Sequence, residues 1–157
     1  MQDDRNRRYR SRETGWIGLM SLGFFIVALG VIWIVTPSFS GEIVSFADDF
    51  SSHLINVTGN VRLPAPASNH PVLYTAIMEL ALALAVFQIV VLALRFVFHG
   101  TIEEKARTVS SMAFWFAAAF FLNLLANSTI GWFAFVAGLI ICAGLAIIVS
   151  NIVRLFR

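Results

Sequence analysis

The sequence predicts an all-α integral membrane protein. The expected form is a four-helix bundle with both termini cytoplasmic and an amphipathic surface helix in the first external loop. Three observations predict it. Trp16–Val35, Val72–Val97, Ser111–Ala126 and Trp132–Val153 are long apolar runs. Only 13% of the 157 residues are charged, against about 25% in a soluble domain. Most of that charge lies outside the runs, and its sign bias alternates from segment to segment. Too little polar chain remains to cover four such runs in water, and stretches of about 20 apolar residues match the hydrocarbon thickness of a bilayer.

The charges set the direction of each crossing. Arg5, Arg7, Arg8, Arg10 and Arg12 crowd the arm formed by residues 1–15. Residues 36–71 carry Glu42, Asp48 and Asp49 against Arg62 alone. Arg95 and His99 end the second run, Lys105 and Arg107 follow, Asn127–Gly131 is uncharged, and Arg154 and Arg157 close the chain. Every basic cluster then falls on one side, which is the cytoplasmic side by the positive-inside rule. Membrane lipid is the expected immediate partner, in a multi-pass protein of the cell (plasma) membrane. The basic arm is read as a topology signal, and no nucleic-acid partner is expected. Trp16, Trp33 and Trp132 mark the ends of runs, where their rings prefer the headgroup level. The first run, at 20 residues, exceeds the ~7–15 of a signal-peptide core and reads as a retained anchor.

The elements follow in order. Residues 16–157 make one transmembrane domain with helices at about 16–35, 72–97, 102–127 and 132–153. In the external segment, Ile43, Phe46, Ala47, Phe50, Leu54 and Val57 recur at three- and four-residue steps. Glu42, Ser45, Asp48, Asp49, Ser52 and His53 fill much of the opposite face, which predicts an amphipathic helix lying flat on the outer surface and packing on the bundle or on a partner. Leu63-Pro64-Ala65-Pro66-Ala67 and Asn69-His70-Pro71 predict an extended, solvated connection. Thr101 and Glu104 have the spacing of a capping box, so the third helix starts before its apolar run.

The chemical inventory is short. Cys142 has no partner for a disulfide. None of His53, His70 and His99 falls at membrane depth, so a bis-histidine haem lacks ligands. A Gly-rich phosphate loop and an HExxH pair are both missing. No catalytic, cofactor or metal residue is expected, and the chain is not read as an enzyme.

Interest falls instead on polar residues within the runs: Glu79, Gln88 and Asn123. A carboxylate at the depth of Glu79 costs about 2.5–3.5 kcal/mol. It should be protonated, water-facing or hydrogen-bonded, with Asn123 or Asn127 as candidate partners. Gln88 lies on the opposite face and also needs a partner. In the last helix Ala134, Gly138, Cys142, Ala146 and Ser150 recur at strict four-residue steps. Five small residues in line predict a helix-packing interface. Gly23 and Gly30, with Ser21 and Ala28, offer a comparable face on the first helix.

Leu63 to Ala117, through LPAPASNHPVLYTAI, FQIVVLALRFVFHG and EEKARTVSSMAFW, resembles small archaeal four-helix membrane proteins of no assigned function. The resemblance implies a prokaryotic-type plasma membrane and no mechanism. The function expected is a non-catalytic subunit that packs in, or stabilises, a larger membrane complex, with other membrane subunits or further copies of itself as partners. The alternative is a small oligomeric channel or transporter using Glu79. A redox or enzyme anchor is the least supported.

Overall fold

The computed structural model describes residues 2–58, 61–98 and 101–155. His99 and Arg157 lie outside the described residues, and so do the side chains of Arg5, Arg7, Arg8, Arg10, Arg12 and Arg154. The described residues are mostly helical, with one hairpin among them. Its elements are α1 (Gln2–Val35), α2 (Phe39–Ser52), β1 (Leu54–Thr58), β2 (Val61–Pro64), α3 (Pro71–Val97), α4 (Ile102–Ala126) and α5 (Trp132–Leu155). Three segments are long and apolar enough to cross a membrane: Gly18–Val35, Pro71–Val97 and Ile102–Ala126. The apolar stretch of α5, Trp132–Ile148, is shorter. Large apolar side chains stand exposed along all of them, such as Ile34 at 85% and Ile140 at 67%. Such surface suits hydrocarbon and is uncommon on this scale in water.

The helix ends obey local chemistry. Thr101 Oγ1 accepts from the Glu104 N–H, and Glu104 Oε2 accepts from the Thr101 N–H, both at 3.3 Å. The predicted capping box is therefore present and starts α4. At its other end Ser128 adopts φ 55°. The Thr129 N–H bonds to the Leu124 carbonyl and the Ser128 N–H to the Leu125 carbonyl. This is the Schellman arrangement, with serine where glycine is usual. Proline stands at the first position of α3, where its missing N–H costs nothing.

Helix contacts run α1 to α3, α3 to α4 and α4 to α5, so α1 and α5 lie at the two ends of the series. The main cluster joins Tyr74 and Ala81 of α3, Ala119, Leu122 and Leu125 of α4, and Phe135 of α5. A smaller one joins Ile32, Phe39, Leu73 and Ala76. Small residues on α3, chiefly Ala81 and Ala85, let α4 approach closely.

The segment after α1 departs from expectation in three ways. α2 begins earlier and ends at Ser52, because Leu54–Thr58 pairs antiparallel with Val61–Pro64. Leu54 and Val57 therefore belong to a strand. α2 is also rotated relative to the expected amphipathic face. Phe39 is buried and Glu42, Phe46, Asp49 and Phe50 are half-buried, while Ile43 and Ala47 are exposed. Finally, the proline stretch is not simply solvated. Ala65 is 1% exposed and His70 6%, because the chain here is fastened to its neighbours.

Candidate functional site

Two polar features lie near the α2 end of the helices. The first is a junction around His70, the residue before α3. Its Nε2 lies 3.1 Å from Asp49 Oδ2 and its Nδ1 3.9 Å from Glu42 Oε2. Glu42 and Asp49 are seven residues apart on α2, two helical turns, so both reach the same ring. The Ser68 backbone N–H donates to Asp49 Oδ2 at 2.8 Å. That bond, with a smaller contribution from His70, holds the Asp49 carboxyl below its ordinary value against the opposing effect of burial. Phe46, between the two acids, meets His70 edge-on at 5.5 Å, Tyr74 at 6.2 Å and Trp132 at 5.8 Å between ring centres. Asn69 Nδ2 donates to Ser128 Oγ at 2.7 Å and to the Ala126 carbonyl at 3.3 Å. The junction thus ties α2, the connection and α3 to the α4–α5 turn.

The spacing of the apolar residues placed Glu42 and Asp49 on the outer face of α2. The informative signal was the order Phe39, Glu42, Phe46, Asp49, Phe50. Acids and aromatic rings share one helical stripe there, which suits an aromatic pocket holding a buried imidazole.

The second feature is a groove of ≈ 350 Å³ lined by Val35, Thr36, Pro37, Pro71, Val72, Thr75, Ala76 and Glu79. It lies between the end of α1 and the start of α3. Glu79 stands on the open face of α3, in line with Val72 and Val86, both exposed. Among the described residues Glu79 has no hydrogen-bond or ion-pair partner. The suggested partners face elsewhere. Asn123 Nδ2 reaches Met78 Sδ at 3.4 Å, and Asn127 Nδ2 bonds back to the Asn123 carbonyl at 2.8 Å. Successive residues on a helix point about 100° apart, so Met78 turned to α4 leaves Glu79 turned away. Gln88 is half-buried and has no hydrogen-bond partner among the described residues.

The small residues of α5 divide. A Cβ placed on Gly138 would lie 2.7 Å from the ring of Phe121 in α4, so any larger residue must displace that ring. Ala134 is exposed, while Cys142, Ala146 and Ser150 are half-buried. Four-residue steps drift about 40° each around the helix, which is why the ridge does not stay on α4. On α1 the expected face also splits. Phe24 stacks on Phe87 at 4.1 Å and Ile32 is buried. Gly18, Gly23 and Gly30 have nothing within 4 Å of a would-be Cβ.

At the other end of α3, the Arg95 guanidinium donates to the Glu104 carbonyl, and the Lys105 ammonium lies 4.3 Å from the centre of the Phe96 ring. Arg95 therefore reaches the start of α4, and Lys105 reaches from the start of α4 back to α3. No family model matches the sequence, and no curated protein or solved structure is significantly similar to it.

Proposed function

We propose that the chain is a non-catalytic subunit of a larger membrane assembly in the plasma membrane. It crosses with α1, α3, α4 and α5 and keeps both termini cytoplasmic. The observation that carries this reading is the bare state of α1. Only 6% of Gly18–Val35 is buried, and its three glycines meet nothing. In lipid, helix association depends on close packing, which glycine faces allow. A glycine face turned to lipid gains nothing while weakening the helix by about 1 kcal/mol per residue. Covering it with another helix supplies the gain. Gln88 adds support, since an amide within the membrane also favours a partner.

The test is Gly23→Leu with Gly30→Leu, followed by purification in mild detergent and cross-linking. The expected outcome is loss of higher-mass species while the monomer keeps its helical content. Recovery of the unaltered protein only as a lone monomer overturns the reading.

A second reading, a small oligomeric channel or transporter, draws on the unpaired carboxylate of Glu79 on an open face. Glu79→Gln separates the two in a liposome flux assay. A conducting protein should show flux that the variant loses, whereas a packing subunit should show none in either form.

A further inference from the structure

Glu79 is an unpaired carboxylate set in a groove with otherwise apolar walls and two hydroxyls. Its depth can be placed. Arg95 lies 16 residues further along the same helix, about 24 Å at the standard rise. A hydrocarbon layer is about 30 Å thick. With the Arg95 backbone at one boundary, the Glu79 backbone lies about 6 Å inside the other. Helical side chains lean toward the helix N-terminus, which for α3 is the α2 end. The carboxylate is thereby carried toward the level of Thr75, one turn above, and hence to the headgroup boundary. Thr36, at the end of α1, lines the same groove.

The groove therefore offers one anionic acceptor and two hydroxyl oxygens at headgroup level. Among the described residues no basic side chain lines it, so none of them supplies a counter-charge there. A primary ammonium has three N–H donors, one for each of these acceptors. A trimethylammonium has none, and an anionic headgroup without an amine would be repelled. The walls Val35, Val72 and Ala76 are apolar, and the exposed face of Val72, Val86 and Val90 continues below them. An acyl chain can lie along that face while its headgroup enters the groove, a path that a water-soluble amine would not use.

We infer that the Glu79 groove binds the primary ammonium headgroup of an aminophospholipid of the phosphatidylethanolamine class, taken from the leaflet at the α2 end. Glu79 carries the charge contact, and Thr75 and Thr36 orient the ammonium. The inference does not depend on the subunit reading, because lipid retention is measured on the monomer.

The test uses the full-length chain in detergent with phosphatidylethanolamine, phosphatidylcholine and phosphatidylglycerol of matched acyl chains. Retained lipid is counted by native mass spectrometry, and thermal stability is followed in parallel. The expected result is a roughly tenfold preference for phosphatidylethanolamine, the size of one charge-assisted hydrogen bond. Glu79→Gln should abolish that preference and Thr75→Val should reduce it. Equal retention of the three lipids by the unaltered protein overturns the inference, as does an unchanged preference in Glu79→Gln. Should Glu79→Gln fail to accumulate, Thr75→Val decides alone, and an unchanged preference again overturns it. Free ethanolamine added with phosphatidylcholine should not reproduce the stabilisation; if it does, the lipid assignment is wrong.

Discussion

The α4–α5 seam and the α1–α3 seam are built from similar sequence, yet they pack differently. Both α5 and α1 carry glycines and small residues at helical spacing. In α5, Gly138 receives the Phe121 ring so closely that a methyl group would collide with it. In α1, the contact with α3 is made by Phe24 on Phe87 and by Ile32, while the glycines face outward. A small residue thus becomes part of an interface only where a large one is delivered opposite. The α4–α5 turn is short and fixes that delivery. α1 is linked to α3 only through α2, the hairpin and the proline connection, so its orientation is set at one end.

The strongest challenge to this contrast is Gly138→Leu. It should destabilise the protein by about 3 kcal/mol, the upper part of the range for overpacking, measured as a loss of thermal stability in detergent. No loss would mean that the two seams are equivalent. Phe24→Ala should cost less, about 1 kcal/mol from the lost ring pair. Its clearer sign would be weaker cross-linking between cysteines placed on α1 and α3, with α4–α5 cross-linking unchanged.

Acid should separate the seams more gently. The Asp49 carboxyl is held below its ordinary value in the folded state. Its contribution is therefore complete above the unfolded value, about 3.9, and is lost as pH falls through the lower folded one. Thermal unfolding followed downward from about pH 5 should show an acid limb that Asp49→Asn removes. The α1–α3 cross-link should weaken along that limb before the α4–α5 cross-link does. The smallest effect is expected at Ser38, which holds φ 55° at the start of α2 without a side-chain cap. Ser38→Gly relieves that backbone cost and should stabilise by about 0.5 kcal/mol, readable as slower proteolysis at the α1–α2 joint.

The long apolar helices and the capping box were legible because both depend on local sequence: residue type over a length, and Thr101 three residues from Glu104. The inward turn of Glu42 and Asp49 was not, because it depends on a histidine 21 residues away whose burial no local pattern announces. The hairpin was also missed. Leu54 and Val57 continue the three- and four-residue rhythm of α2, and only pairing with Val61–Pro64 claims them for a strand. Glu79 was recognised as costly from its depth, but its facing depended on which neighbour α4 selected. Met78 meets Asn123, and Glu79 is thereby turned outward.

The bond from Asn69 to Ser128 closes the far end of the α3–α4 pair across 59 residues. Contacts such as α3–α4 and α4–α5 close short loops and can form as each helical pair folds. Asn69 finds Ser128 only when α3 and α4 stand at matching heights. A slip of α3 by one turn, about 5.4 Å, would move the amide out of reach. The bond therefore acts as a register check on the α3–α4 pair: it is available only when both helices stand at the correct heights.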